Sequence, residues 1–148
     1  MLDNTNNSID IGQLCDCIDS LAHNGAQFYS TEFARFANRI IRCIFAGDDT
    51  VIPVQPISFN HRSIQLGQHH FPEHNDLVVN DITIYTGGAV FVTIDVNVVT
   101  AAKLRAVSDF VDGLECYDNG LGCEVTLDQE VDEWGNKTLE IRAQYELD

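Results

Sequence analysis

Apolar residues recur at helical spacing twice in the first third of the chain, over residues 11–21 and again over 33–44. Ser8 is a candidate N-cap for the first of these segments, and Ser30 or Thr31 for the second. The spacing therefore predicts two N-terminal helices. Their apolar positions are Ile11, Leu14, Ile18, Leu21, Phe33, Phe36, Ala37, Ile40, Ile41 and Ile44.

The last half of the chain has the period-2 alternation of half-buried strands. One predicted hairpin runs over residues 77–99, with Thr86, Gly87 and Gly88 as its turn. A second runs over residues 123–147, with its turn between Asp132 and Lys137. An apolar stripe at helical spacing over residues 104–114 predicts a helix between the two hairpins.

Residues 50–75 have no regular pattern. Pro53, Pro56 and Pro72 disfavour a central strand or helix there. Residues 51–57 are apolar enough for an edge strand. The segment after Phe59 reads as a long loop that contains four of the five histidines.

These elements predict an α+β fold. We expect an antiparallel sheet of four to five strands, built from two β-hairpins joined by a helix, with the N-terminal helical pair packed on one face. Residues 1–148 form one domain by this interpretation, with residues 1–8 disordered. A homodimer is expected if the long last strand, residues 138–147, lies at a sheet edge, because an open edge needs a cover or a partner strand.

The net charge of −15 changes this picture more than any motif does. Residues 1–75 hold 8 acids and 4 bases, and residues 76–148 hold 15 acids and 4 bases. Such a field opposes nucleic acid and anionic membrane, because both bind through Lys and Arg. It favours a basic protein surface as partner. The alternative is that the acidity serves solubility alone.

The acidic turn of the second hairpin is the predicted partner-binding site. Trp134 at the hairpin tip is a candidate binding anchor, and the alternatives are that it folds back on the sheet or marks an oligomer contact. Carboxylates around it would attract basic side chains. The leading hypothesis is a small acidic protein-binding module, of the inhibitor or immunity type, that meets a basic partner. Its predicted site residues are Asp128, Glu130, Asp132, Glu133 and Trp134.

A small-molecule-binding domain or small enzyme is the alternative hypothesis, with a pocket between sheet and helices. The sequence contains no nucleophile elbow, metalloprotease or C-x-x-C motif, so we expect a non-enzymatic protein with no cofactor and no catalytic residues. The rings that would line the pocket are Phe28, Tyr29, Phe33, Phe36, Tyr85, Phe91 and Phe110.

His69, His70 and His74 are the candidate metal ligands, since imidazole suits zinc, copper and nickel. The alternative is a surface loop with polar histidines. Along the second helix, Arg35, Arg39 and Arg42 share one face, and either contact an anion or form its solvated side.

The five cysteines have no zinc or redox spacing and are expected to be free and mostly buried thiols. The polar first residues lack the features of a signal peptide, and no stretch is apolar enough for a membrane span. We therefore expect a cytoplasmic protein.

Overall fold

The computed structural model describes residues 8–23, 29–45, 49–55, 57–71, 76–95, 105–110, 112, 123–131, 133–135 and 137–145. For residues 23, 95, 123–130 and 137 it describes only the backbone. The predicted disorder of residues 1–8 lies outside this part of the chain, except for Ser8, which begins a strand. None of the described helices is both long enough and apolar enough to cross a membrane.

Two N-terminal helices form where the apolar spacing predicts them, α1 at Ile11–His23 and α2 at Thr31–Ile44. The N-cap of α1 is Asp10 rather than the predicted Ser8. Its Oδ1 accepts from the Gln13 amide at 2.7 Å, and Gln13 Oε1 accepts from the Asp10 amide at 3.1 Å. This is a reciprocal capping box. Ser30 is the N-cap of α2, with its Oγ accepting from the Phe33 amide at 3.0 Å.

A small two-stranded sheet holds the start of α1 in place. Strand β1 (Ser8–Asp10) pairs antiparallel with β2 (Val51–Pro53), which confirms the strand expected within residues 51–57. The Ile11 amide extends this ladder by donating to the Thr50 carbonyl at 2.9 Å. The chain therefore passes from strand into helix without an intervening loop.

The larger sheet has seven strands in the described part of the chain, all paired antiparallel. Their order is β3-β4-β6-β7-β9-β8, and β5 also pairs with β6. The strands are β3 (Ser58–Asn60), β4 (Ser63–Gln65), β5 (His69–Phe71), β6 (Leu77–Tyr85), β7 (Ala89–Asp95), β8 (Cys123–Val131) and β9 (Lys137–Tyr145).

Three short strands replace the long loop predicted after Phe59. β3 and β4 form a hairpin whose turn is closed by Asn60, because its Oδ1 accepts from the amides of Arg62 and Ser63, each at 3.0 Å. β5 then pairs with the first half of β6, with His69 opposite Val79. Each of these strands has three residues, which is too few for a period-2 pattern to stand out.

The core lies between the helices and one face of the large sheet, which we call the inner face. Helix residues Phe33, Phe36 and Ile40 are at most 1% exposed and belong to the same cluster as the aliphatic residues of β6, β7 and β9. The Phe36 ring lies 5.3 Å from the Tyr145 ring of β9. A third helical segment, α3 (residues 105–110), joins this core through Phe110.

The predicted α+β fold is confirmed, including the helical pair packed with an antiparallel sheet. The sheet has more strands than the four to five expected, because β3, β4 and β5 extend it. The hairpin turn between β6 and β7 lies at the predicted Thr86, Gly87 and Gly88. It is a three-residue loop in which Gly88, and not Gly87, has positive φ, at 100°.

β9 lies between β7 and β8, so the last strand is not at an edge. A homodimer was expected if the last strand formed an open sheet edge, and β9 does not form one. The homodimer stays a prediction. Among the described cysteines, Cys15 is buried, whereas Cys17 and Cys43 are exposed. All three are free, as expected. The side chains of Cys116 and Cys123 lie outside the described part of the chain, so the expectation of mostly buried thiols stays a prediction.

Replacing Asp10 by Ala removes the side-chain acceptor of the capping box and leaves the Gln13 amide without its partner, whereas the backbone N–H of residue 10 can still donate to Gln13 Oε1. We expect the free energy of unfolding to fall by about 1 kcal/mol, the usual cost of a lost N-cap. Urea denaturation followed by circular dichroism would measure it. Asp16→Ala is the matched control, since Asp16 is an exposed acid within α1. Equal destabilisation by the two variants would contradict the capping role.

Candidate functional site

The large sheet turns one face away from the helices, and we call this the outer face. On β6, β7 and β9 its residues are the positions that alternate with the core positions, and Ser63 and Gln65 of β4 continue the face beside Tyr85 and Thr83. The face is mixed rather than uniformly polar, because it includes two aromatic rings. Its residues on β6, β7 and β9 are Asp81, Thr83, Tyr85, Phe91, Thr93, Glu140, Arg142 and Gln144.

An aromatic and cationic cluster occupies one end of the outer face. The rings of Tyr85 and Phe91 meet edge to face, with their centroids 5.2 Å apart. The Arg142 guanidinium carbon lies 5.0 Å from the centroid of the Phe91 ring. This contact attracts the cation to the ring quadrupole and favours an Arg142 side chain that lies along the sheet. Arg142 is the one base among the described residues of this face.

Acidic positions meet in register on the other side of Arg142. Glu140 is opposite Thr93 of β7 and opposite Asp128 of β8. Two residues along, Glu130 is opposite Thr138. Like charges directly opposite each other in an antiparallel pair are destabilising.

β8 is the last strand in the sheet order, and β9 is its one partner among the described strands. The end of β8 and the turn that follows it each expose one large apolar side chain. Val131 is 59% exposed and Trp134 is 78% exposed. Glu133 beside them is also exposed, and Gly135 closes the turn with a φ of 86°.

The predicted partner-binding residues therefore lie along one edge of the sheet. The structure places Asp128 and Glu130 in edge strand β8, and Glu133 and Trp134 in the turn that continues it. Asp132 lies outside the described residues. We call this set, Asp128, Glu130, Asp132, Glu133 and Trp134, the acidic edge.

The histidines predicted to bind metal do not share one surface. His69 and His70 are neighbours in β5, and a strand directs neighbouring side chains to opposite faces. His69 is buried and its Nε2 lies 2.8 Å from the Leu66 carbonyl. His70 is exposed and its Nε2 lies 3.0 Å from Asp76 Oδ1. His74 lies outside the described residues, so the three-histidine site stays a prediction. Within the described ranges, no three metal-ligating side chains come together.

A second surface feature is a groove of about 840 Å³ beside β5, which we call the β5 groove. Its lining is mostly apolar. The lining residues are Phe45, Thr50, Val51, Ile52, Pro53, Gln68, His69, His70, Phe71 and Val78.

None of the rings expected to line a pocket lines this groove. Tyr29, Phe33, Phe36 and Phe110 belong to the core, Tyr85 and Phe91 lie on the outer face, and Phe28 lies outside the described residues. Sequence reasoning missed the groove because it read residues 60–75 as a loop. The Phe45 ring, at the end of α2, meets the His69 and Phe71 rings of β5 only in the folded structure, where β5 pairs with β6.

His69 is a neutral, buried imidazole in the wall of the β5 groove. Burial lowers its pKa from the usual 6.5, and this effect outweighs the Leu66 carbonyl and the Asp81 carboxylate, which both act to raise it. Because a carbonyl only accepts, Nε2 carries the proton and donates it to Leu66. Nδ1 of the neutral ring is then an acceptor. The ring also packs edge to face on Phe45, with centroids 5.0 Å apart.

The lowered pKa of His69 predicts that the folded protein loses stability in acid. Below pH 6.5 the unfolded chain takes up a proton on this residue, whereas the folded protein does so only below its lowered pKa. We therefore expect the unfolding free energy to fall as pH is lowered through 6.5, levelling off below the folded-state pKa. His69→Gln should reduce this dependence in urea titrations between about pH 7.5 and about pH 5. His70→Gln, on the exposed side of the same strand, should retain it, and equal slopes in both variants would refute the assignment.

The acidic edge and the β5 groove are thus the two candidate sites that combine exposure with distinctive chemistry. The first consists of acidic positions around an exposed Trp, and the second is a mostly apolar groove. Comparison with protein-family models, with curated proteins and with solved structures finds no match to this chain.

Proposed function

We propose that this protein is a non-catalytic binding module that meets a basic protein through its acidic edge. The observation that carries the proposal is the exposure of Trp134, at 78%, in a turn that continues an edge strand with acidic positions. Trp side chains are enriched among the few interface residues that dominate binding energy. The proposed binding is therefore centred on Trp134 and Val131, with carboxylates around them.

Charge gives this surface its selectivity. The chain carries −15, and five acids with no base fall within residues 123–133. A field of this sign speeds the approach of basic surfaces and discourages acidic ones. The register of Glu140 against Asp128 adds a local reason, since a cation between them would relieve like-charge repulsion.

The partner class follows from the same chemistry. Proteins that act on nucleic acids carry clustered Lys and Arg for phosphates, and a row of carboxylates can occupy such a site in their place. We infer an inhibitor or immunity type of role, in which binding blocks a basic active site. Free thiols on Cys15, Cys17 and Cys43 favour a reducing compartment such as the cytoplasm for this interaction.

The β5 groove supports a second candidate function, the binding of a small molecule. Its volume of about 840 Å³ is within the range of ligand pockets, and its lining combines apolar residues with the imidazole of His69. The ligand would be an apolar body with one hydrogen-bond donor. Under this candidate the acidity of the chain serves solubility only.

Neutralising the acidic edge should abolish capture of the basic partner. The test variant carries Asp128→Asn, Glu130→Gln, Asp132→Asn and Glu133→Gln. Its net charge changes from −15 to −11. In pull-downs from source lysate, we expect wild type to retain a basic protein at about 50 mM salt and to lose most of it at about 500 mM, because the Debye length falls from over 10 Å to under 5 Å.

A control variant with the same net charge separates local from global effects. It neutralises four exposed acids on the helical side of the molecule: Asp16→Asn, Glu32→Gln, Asp109→Asn and Asp112→Asn. This variant should capture the partner as wild type does. Equal loss in both variants would assign the effect to overall charge, and no capture by wild type at either salt concentration would remove the proposal.

Trp134→Ala tests the apolar anchor separately from charge. We expect it to weaken binding of the captured partner by about 2 kcal/mol or more, as for a central interface Trp, with little change in stability because the ring is exposed. Surface plasmon resonance and urea denaturation would measure the two quantities. An affinity within about twofold of wild type would place the anchor elsewhere.

Screening for thermal stabilisation by a small-molecule panel tests the second candidate. Val51 is 60% exposed and lines the β5 groove, so Val51→Arg should block a ligand there without loss of fold. Val131→Arg, at a similarly exposed valine outside the groove, is the control. A stabilising ligand that is unaffected by Val51→Arg would bind somewhere else.

A further inference from the structure

A second groove, lined by polar and charged residues, lies on the helical side of the molecule, away from the outer face. It has a volume of about 340 Å³ and is formed by α1 and α2. Arg35, Arg39 and Arg42 line it at positions i, i+4 and i+7 of α2, which places them along one side of the helix. Its other lining residues are Asp19, Thr31 and Asn38. We call it the arginine groove.

The charge of this groove is opposite to that of the chain. Three of the eight Lys and Arg residues line it, together with one acid, in a protein of net charge −15. The Oδ1 atom of that acid, Asp19, accepts a hydrogen bond from Asn38 Nδ2 at 2.9 Å. The groove therefore concentrates guanidinium groups, whose planar donors match phosphate and carboxylate oxygens.

Asn38 adds a second and independent observation. Its side chain is 6% exposed, and its Oδ1 has no hydrogen-bond partner in the described part of the chain. Buried polar atoms are nearly always hydrogen-bonded, so an orphaned acceptor in a groove lining points to a ligand that brings a donor. The orientation of the amide is set by Asp19, because only Nδ2 can donate to that carboxylate.

These two observations together narrow the ligand class. Guanidinium groups bind anions, whereas Asn38 Oδ1 can bind only a hydrogen-bond donor, which the same ligand must therefore carry. Near neutral pH, inorganic phosphate has both, because it retains at least one P–OH. Sulfate has the same shape and no proton to donate.

We propose that the arginine groove binds a protonated phosphate group, with inorganic phosphate as its simplest form. The guanidinium groups of Arg35, Arg39 and Arg42 bind the charged oxygens, and Asn38 Oδ1 accepts the P–OH hydrogen. The groove is at the small end of the range of ligand pockets, which suits a ligand of this size. Nucleic acid does not fit, because its phosphodiesters have no P–OH at neutral pH and the chain's net charge repels a polyanion.

This proposal is independent of the acidic edge, since the two sites use different elements. α2 presents its apolar side to the sheet, and the arginines lie on its exposed side. Failure of either proposal therefore leaves the other intact.

Isothermal titration calorimetry at pH 7 and constant ionic strength, with sodium phosphate and sodium sulfate as the two titrants, tests the proposal. We expect wild type to bind phosphate at least about tenfold more tightly than sulfate, because a site with a buried acceptor rejects a ligand that lacks the donor. Arg39→Gln and Arg35→Gln should each weaken phosphate binding by about tenfold through loss of a charge-assisted hydrogen bond. Arg62→Gln, an exposed arginine outside the groove, is the matched control and should stay within about twofold of wild type.

Asn38→Leu keeps the branched shape of the side chain and should remove the preference for phosphate over sulfate. If that variant does not fold, the selectivity of wild type still decides the matter. Equal affinity for the two anions, no binding of phosphate below about 10 mM, or equal weakening by Arg62→Gln and Arg39→Gln would overturn the proposal. In the last two cases the arginines serve to neutralise carboxylates of their own chain.

Discussion

The inner face of the large sheet is apolar over β6, β7 and β9, and its burial by α1 and α2 is the constraint on which the rest of the structure depends. Phe36 of α2 meets Tyr145 of β9 at the centre of this contact. Each large side chain buried here contributes about 1.5–3 kcal/mol relative to exposure. Both the helices and the strands therefore have one side that must face inward.

This constraint sorts the charges of the molecule into two layers. Because strand residues alternate, the acids of β8 and β9 that are not in the core belong to the outer face or its edge. Because helix residues repeat every 3.6 positions, Arg35, Arg39 and Arg42 are directed to solvent on the other side. The acidic edge and the arginine groove are thus consequences of one packing arrangement, and they are suited to ligands of opposite charge.

An amphipathic pattern does not explain which residues are buried around β5, because strands β3, β4 and β5 have only three residues each. His69 is buried there between Phe45 and Phe71 through tertiary contacts. Its place in the wall of the β5 groove gives a neutral imidazole next to apolar surface. A histidine in this environment couples the stability of the groove to pH, whether or not a ligand binds there.

The sequence by itself determined the elements whose patterns are long. The two helices, the hairpin of β6 and β7 and the last strand follow from repeats of apolar residues over at least seven positions, and Ser30 follows from local capping chemistry. The same alternation assigned the acids to the solvent side of their strands. The pattern also placed Trp134 in the turn between two strands, but it left the exposure of the ring open, because a Trp there could equally fold back on the sheet.

Only the tertiary structure decided which elements are neighbours. The three-residue strands β4 and β5 both pair with the longer β6, and β3 pairs in turn with β4. The position of β9 inside the sheet likewise depends on which strands pair. The meeting of Glu140 with Asp128, the burial of His69 and the orphaned oxygen of Asn38 each need contacts between residues far apart in the chain. Local sequence contains no information on such pairings, because hydrophobic periodicity reports which side of an element is buried and not what buries it.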